Sequence, residues 1–181
     1  MSMRNMSMRS RLLVALMLAA GPAGAADAPR FGQPITPADL APWDISIGPD
    51  GVGLPPGSGT PAQGAEVYTK YACALCHGEK GAGGPSGPLV GGPPLSGGNA
   101  PPAKLIGNYW PYATTIFDYT RRGMPWAQPK TLSDNEVYAL TAYILALNKI
   151  IGENDVMSAE SLPKVRMPNR DGFISKYPEK H

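Results

Sequence analysis

The clearest hydrophobic pattern in the chain lies between residues 133 and 151, where apolar side chains recur at spacings of three and four. These positions are Val137, Leu140, Ile144, Leu147 and Ile151. Ser133 and Glu136 stand just before the pattern at the spacing of a capping box, which satisfies free backbone groups at a helix start. The pattern therefore predicts an amphipathic helix that begins after Ser133 and ends near residues 149–152.

Two weaker helical segments are predicted upstream. Pro61 suits the first position of a helix, and the helix that it begins is predicted to run to about Cys73. Residues 112–122 are predicted to form a short helix that ends at the breaker sequence 123–126. Residues 26–60, 78–108 and 153–181 show no helical period and are predicted to be largely irregular.

The composition explains why so little of the chain is periodic. Gly and Pro account for 22 and 21 of the 181 residues, about twice their usual share, while 43% of residues are hydrophobic and 17% are charged. This excludes a long helical bundle or coiled coil and argues against a large parallel α/β sheet. We expect one domain over residues 61–151, preceded by an extended Gly/Pro-rich arm over 26–60 and followed by an irregular tail over 152–181.

The first 25 residues have the pattern of a secretory signal peptide. Three arginines precede the nine-residue apolar run 12–20, and Ala23-Gly24-Ala25 supplies a cleavage signal near Ala25. We therefore expect an exported, periplasmic protein with no membrane span. Removing the three arginines leaves 13 basic against 14 acidic residues, so nothing suggests nucleic-acid binding.

The sequence Cys73-Ala74-Leu75-Cys76-His77 is a C-x-x-C-H motif, which is typical of covalent haem attachment in an exported chain. Two thiols about one helical turn apart can add to the two vinyl groups of one haem. The adjacent His77 can then present an imidazole nitrogen to the iron. The motif predicts one covalent haem c, with Cys73 and Cys76 as thioether links and His77 as an axial ligand.

Three other interpretations of the motif stay open at this point. A redox-active C-x-x-C pair would need a βαβ context that the sequence lacks. A structural zinc site would need four ligands, for which only Cys73, Cys76, His77 and His181 are available. A plain disulfide between the two cysteines would give His77 no role.

The second axial ligand is sought among the methionines that follow the signal peptide, namely Met124, Met157 and Met167. Met124 is favoured because it lies in a loop just before the amphipathic helix, where Pro125 stiffens the backbone. Met167, which also precedes a proline, is the main rival, and an open sixth position as in a gas sensor or peroxidase is the third possibility. His/Met ligation raises the reduction potential and leaves no substrate position, which favours single-electron transfer.

Two further assignments concern the surroundings of the haem. Arg121 and Arg122 have two interpretations, as ligands of the haem propionates or of an acidic partner, or as a solvated helix end. A set of apolar residues is predicted to line the pocket. This set comprises Leu89, Leu95, Leu105, Ile106, Ile116 and Leu140.

With these motifs in place, residues 61–151 resemble a class I cytochrome c domain. The resemblance rests on Gly64 and Tyr68 before the C-x-x-C-H motif, Met-Pro at 124–125, and Tyr143 within the last helix. It implies an all-α fold of few helices around one covalently bound haem, here with long irregular N- and C-terminal extensions. It also implies that Gly64 and Tyr143 are structural residues where the first and last helices cross.

A narrower resemblance, over residues 31–175, is to the SoxD-type cytochrome subunit of sulfane dehydrogenase. It is carried by residues 41–45, 53–59, 108–112, 117–125, 136–143 and 162–173. The resemblance implies a partner subunit of the molybdopterin-containing sulfite-oxidase type, which oxidises a sulfur compound and passes electrons to the haem. A downstream soluble cytochrome c would then accept them. The alternative is a free-standing electron shuttle that serves another dehydrogenase or oxidase.

Overall fold

The computed structural model describes residues 32, 34–93, 95 and 103–173. The predicted signal peptide over residues 1–25 and the terminal His181 lie outside the described residues. The chain divides after Asp44 into two compact units, which are described separately. Across the described residues, no helix combines the length and the apolar character needed to cross a membrane.

The described part of the first unit is organised around one short helix, α1, at Pro37–Leu40. Thr36 caps it, since the Asp39 N–H donates to the Thr36 Oγ1 at 3.3 Å and the Thr36 N–H donates to the Asp39 Oδ2 at 2.9 Å. No residue of α1 is buried. Local hydrogen bonds and the proline at the first position, rather than burial, define this helix.

The second unit contains the remaining elements. In chain order they are β1 at Ser58–Gly59, α2 at Pro61–Lys70, α3 at Ala74–His77, a 3-10 turn at Glu79–Gly81, α4 at Ile106–Tyr109, α5 at Ala113–Gly123, α6 at Asp134–Leu147, β2 at Met157–Ser158 and a 3-10 turn at Leu162–Lys164. The two strands pair antiparallel, with Ser58 opposite Ser158. The helix-rich architecture predicted from the sequence is confirmed, and regular pairing of strands is confined, in the described residues, to these two short segments.

Helix α2 begins as predicted at Pro61 but ends earlier than the sequence indicates. Thr60 caps its start together with Gln63. The predicted end near Cys73 is wrong, because Ala72 adopts a left-handed conformation with φ of 53°. The Cys73 N–H then donates to the Tyr68 carbonyl and the Ala72 N–H to the Thr69 carbonyl, which is the hydrogen-bond pattern of a Schellman turn.

Helices α5 and α6 agree closely with the sequence pattern. Helix α5 spans 113–123 where 112–122 was predicted, and Ser133 caps α6 through the predicted capping box with Glu136. Helix α6 ends at Leu147, short of the predicted 149–152. Lys149 is left-handed with φ of 58°, and the Ile150 N–H returns to the Leu145 carbonyl to close a second Schellman turn.

The core is organised around the crossing of α2 and α6. Gly64 lies so close to α6 that a β-carbon there would collide with the Ala139 carbonyl oxygen. The rings of Tyr68 and Tyr143 pack beside this contact, with centroids 5.4 Å apart. The structural roles implied for Gly64 and Tyr143 are therefore observed. Helix α5 packs against α6 through Phe117, whose ring centroid lies 4.4 Å from that of Tyr138.

Residues on either side of the three long helices also enter this core. The hydroxyl of buried Tyr138 donates to the Pro55 carbonyl at 2.8 Å. Met157, Leu162 and Met167 are almost fully buried within the same cluster. The boundaries of the arm and tail stay predictions, but residues 45–60 and 152–173 contribute both hydrogen bonds and buried apolar area to the unit.

Candidate functional site

Two thiols and an imidazole share a single helical turn immediately after α2. The His77 N–H donates to the Cys73 carbonyl at 3.0 Å and the Cys76 N–H to the same oxygen at 3.2 Å, so the three residues lie on one backbone turn that includes α3. Cys73 and His77 are half-buried, Cys76 is exposed, and both cysteines are free. The Schellman turn at Ala72 places this turn against the end of α2, which explains why the motif does not continue that helix.

The imidazole of His77 is oriented by a backbone carbonyl. Its Nδ1 lies 3.1 Å from the Gly87 oxygen. A neutral imidazole that donates from Nδ1 to a carbonyl keeps its Nε2 lone pair free, which is the usual arrangement for a metal-ligating histidine. The loop that carries Gly87 is held near the motif, since the Ser86 N–H donates to the Cys76 carbonyl at 2.8 Å.

The turn after His77 is fixed by Tyr68. The Tyr68 hydroxyl donates to the Gly78 carbonyl at 2.8 Å. Burial is the main cause that raises the pKa of Tyr68 to about 12, so the hydroxyl stays protonated and remains a donor at neutral pH. Gly78 itself has φ of 77°, and a β-carbon there would meet the Ala82 carbonyl. Helix α2 and the motif are thus connected by a partly buried hydrogen bond as well as by sequence.

Met124 lies on a different element, at the C-terminal cap of α5. Its N–H donates to the Thr120 carbonyl at 3.0 Å, and its side chain lines an open cavity of about 370 Å³. The other residues that line this cavity are Thr115, Asp118, Tyr119, Arg122, Gly123 and Trp126. By contrast, Met157 and Met167 are only 4% and 1% exposed in the protein core. Of the three methionines, Met124 is the one whose side chain faces an open space.

The structure also bears on the other interpretations of the cysteine motif. The two thiols do not form a disulfide. Burial raises the pKa of the Cys73 thiol, whereas thiol–disulfide exchange relies on a lowered one. In the described part of the chain, no three His, Cys, Asp or Glu side chains are grouped so that they could hold a metal ion. The geometry therefore favours neither a redox pair nor a structural zinc site.

The two arginines beside Met124 are engaged within the chain. Arg121 pairs with Asp134, with its Nε 3.2 Å from the carboxylate oxygen. The Nε of Arg122 donates to Asp118 at 2.8 Å and its Nη2 donates to the Ile45 carbonyl, also at 2.8 Å. Both guanidinium groups are partly exposed. The ion pair of Arg121 joins α5 to α6, and the hydrogen bond of Arg122 joins α5 to the backbone at Ile45.

The predicted apolar lining divides into two groups. Ile116 and Leu140 are buried in the protein core. The others, Leu89, Leu95, Leu105 and Ile106, are half-buried.

The Gly87 carbonyl was not predicted, because a backbone oxygen has no side-chain signature. The Gly87-Pro88 dipeptide, ten residues after the histidine, is the sequence feature that marks it.

Comparison with known proteins agrees with this geometry. Residues 59–144 match the family model described as cytochrome c oxidase, cbb3-type, subunit III. The fold is similar to a chain in the crystal structure of the sulfane dehydrogenase SoxCD from Paracoccus pantotrophus, with 37% sequence identity and a TM-score of 0.72. That similarity covers 84% of this chain and 73% of the other. No curated protein gives a significant match.

The fold, the C-x-x-C-H turn and these matches define a class I cytochrome c, and the chain belongs to that family as a cytochrome electron carrier. Within the family it is a SoxD-like cytochrome. Membership implies haem c, and the described residues fit that group. The motif holds two free thiols, an oriented imidazole has its Nε2 available, and a thioether lines a largely apolar cavity.

Proposed function

We propose that this chain is a periplasmic monohaem cytochrome that serves as the electron-transfer subunit of a molybdenum dehydrogenase for sulfur compounds. Cys73 and Cys76 would form the thioether links, and His77 and Met124 would be the axial ligands. When bound, the haem supplies a one-electron Fe(III)/Fe(II) couple. The observation that carries the proposal is the hydrogen bond from the His77 Nδ1 to the Gly87 oxygen, next to two free thiols.

The choice of Met124 follows from accessibility. Met167 is 1% exposed and packs in the hydrophobic core, so using it as a ligand would require that core to open. Met124 sits at the end of α5 and faces the cavity. Its thioether is a soft donor that favours Fe(II), which suits a carrier that accepts the electrons released when the partner oxidises a reduced sulfur compound.

The chain's own residues then have three tasks. His77 would bind the iron through its Nε2, because the hydrogen bond from its Nδ1 to the Gly87 carbonyl fixes the orientation of the ring. Tyr68 keeps the motif attached to α2 as a protonated donor to Gly78. The aromatic side chains of Tyr119 and Trp126 line the cavity beside Met124 and supply apolar surface next to the thioether. With both axial positions used, the protein offers no position for a substrate, so its role is electron transfer.

The proposed partner is a molybdopterin-containing subunit of the sulfite-oxidase type, and the proposed acceptor is a downstream soluble cytochrome c. The support is the similarity to a chain of the SoxCD sulfane dehydrogenase, at 37% identity over most of both chains. A second support comes from the first unit, where Ile35, Leu40 and Trp43 are exposed apolar side chains on one short segment. Such a segment is suited to burial against another protein.

The ligand assignment is tested by absorption spectroscopy of the holoprotein. The Met124→Ala variant should lose the weak far-red band that arises from sulfur coordination to Fe(III), and Met167→Leu should keep it. Loss of the band in Met167→Leu alone would overturn the assignment of Met124. A Cys73→Ser, Cys76→Ser double variant should release its haem under acid–acetone extraction, whereas the unmodified protein should retain it.

The partnership is tested by tagging the cytochrome in its native host and purifying it from the periplasm. The proposal expects a molybdopterin protein to co-purify and to reduce the cytochrome when a sulfur substrate is added. Recovery of the loaded cytochrome alone, reducible by an unrelated dehydrogenase, would favour the free-standing shuttle. Recovery from the cytoplasm with an intact N-terminus would contradict the predicted export.

A further inference from the structure

Asn148, at the C-terminal cap of α6, makes three hydrogen bonds with its side-chain amide. Its Nδ2 donates to the Leu89 carbonyl at 2.9 Å and to the Ile144 carbonyl at 2.8 Å. Its Oδ1 accepts from the Gly91 N–H at 3.1 Å. The amide thus grips the irregular segment 89–91 from both sides with a donor and an acceptor. This contact joins the last helix to the loop that follows the C-x-x-C-H motif.

The gripped segment is directly continuous with the carbonyl that orients His77. Gly87 is separated from Leu89 by Pro88 alone, and the proline ring limits the backbone freedom between them. The Leu89 N–H donates to the Gly81 carbonyl at 2.8 Å, so Leu89 is held through its N–H as well as its carbonyl. A substitution of Asn148 that frees Leu89 would therefore also loosen Gly87, two residues earlier, whose oxygen accepts the hydrogen bond from the His77 Nδ1.

The side chain of Asn148 is itself held in place by its surroundings. The Schellman turn at Lys149 fixes the backbone of the helix end, and the bond from Nδ2 to Ile144 ties the amide to α6. Gly107 in α4 approaches so closely that a β-carbon there would collide with the Asn148 amide oxygen. Because the Asn148 side chain is held in this way, it can fix the position of segment 89–91.

We propose that Asn148 is a positioning residue for the axial histidine and thereby helps to set the reduction potential. The inference rests on the proposed ligation of the haem iron by His77. A hydrogen bond from the second ring nitrogen to a carbonyl raises the basicity of a ligating histidine. A more basic imidazole stabilises Fe(III), so a well-held Gly87 carbonyl lowers the potential. Releasing the carbonyl raises the potential.

The variant Asn148→Leu tests this with Asn169→Leu as a matched control. Asn169 is also a half-buried asparagine whose Nδ2 donates to a distant carbonyl, that of Tyr109 at 2.7 Å, but it does not grip segment 89–91. The exposed Pro88→Gly change, which frees the backbone next to Gly87, is a second route to the same release. The measurements are the midpoint potential of the holoprotein and the hydrogen-exchange rate of the His77 Nδ1 proton.

We expect Asn148→Leu and Pro88→Gly to raise the potential by up to about 59 mV, the equivalent of a tenfold change in a one-electron equilibrium. The Nδ1 proton should exchange faster in both, and Asn169→Leu should change neither quantity. Equal shifts in Asn148→Leu and Asn169→Leu, or no shift in Asn148→Leu and Pro88→Gly, would overturn the inference. If the unmodified protein binds no haem, or a His77→Ala variant keeps its axial nitrogen signature, the proposed function fails instead.

Discussion

Gly64 of α2 faces Tyr143 of α6 at a separation that only a glycine allows. A β-carbon at position 64 would lie 2.5 Å from the Cβ of Tyr143 and would also collide with the Ala139 carbonyl oxygen. The obstacle is therefore backbone and the base of a side chain, neither of which can move aside easily. The crossing of the two helices, and with it the placement of the motif that follows α2, depends on this missing side chain.

The first prediction concerns this contact. Replacing a helical glycine by alanine normally stabilises a protein by about 0.5–1 kcal/mol. At Gly64 the collision should reverse the sign, and we expect Gly64→Ala to lower the free energy of unfolding by about 1–3 kcal/mol, as for overpacking of a core. Denaturant titration followed by far-UV circular dichroism measures it. A rise in stability would show that the two helices are less tightly packed than described.

The second prediction tests whether the segment after α6 belongs to the core. Leu162 is fully buried, and truncating a buried leucine costs about 2–5 kcal/mol. We expect Leu162→Ala to destabilise the unit by that amount. Val156, which is 50% exposed on the same segment, is the control, and Val156→Ala should stay within about 0.5 kcal/mol. Equal effects of the two changes on the thermal midpoint would mean that the segment is only loosely attached.

The third prediction concerns the left-handed residue between α2 and the motif. Ala72 has φ of 53°, a conformation that costs an L-residue roughly 1–2 kcal/mol and costs glycine little. Because glycine also loses more entropy on folding, we expect Ala72→Gly to stabilise the protein by a net ~0.5–1 kcal/mol. Ala62→Gly, in the right-handed first turn of α2, should instead destabilise it. Chemical denaturation of both variants shows whether each substitution raises or lowers the free energy of unfolding.

The fourth prediction is a pH dependence. The Lys70 ammonium, 2.7 Å from the carboxylate, is the main cause that lowers the pKa of Glu136 to about 2, with the Ser133 cap adding to it. A folded pKa below the ordinary value near 4.5 means that this stabilisation is complete above about pH 4.5 and is lost as the pH falls toward 2.

Glu136→Gln should therefore be less stable than the unmodified protein at pH 7, and the difference should shrink between pH 4.5 and 2. The measurement is the free energy of unfolding as a function of pH. Glu66→Gln, an exposed change on α2, serves as the control and should shift the curve little. A difference that is constant across this pH range would contradict the role of the ion pair and the cap.

The sequence was a good guide to the elements whose signals are local. The capping box of Ser133 and Glu136, the proline that opens α2 and the position of α5 could all be read from neighbouring residues. It was a poor guide where a single backbone conformation decides the outcome. Nothing in the residue type of Ala72 indicates a left-handed turn, so α2 was extended three residues too far. The end of α6 was overestimated for the same reason at Lys149.

The residues of the candidate site also differ in how far the sequence alone predicts them. The C-x-x-C-H motif is contiguous, so roles for its three side chains can be predicted from the sequence alone. The position of Met124 in a loop favours it over Met167 from the sequence, and burial adds an independent reason, because both precede a proline and the structure shows that Met167 is enclosed. The grip of Asn148 on the loop joins residues almost 60 positions apart, so no local pattern predicts it.

The pairing of Ser58 with Ser158 has a consequence for the order in which the chain can mature. The two strands lie on opposite sides of the C-x-x-C-H motif in sequence and meet only when the chain has been made past residue 158. Long-range contacts of this kind form late, because their closure must first overcome the entropy of the intervening loop. The motif is therefore made before this pairing can form, so the proposed attachment of haem to its two thiols would have an interval in which the strands are still apart.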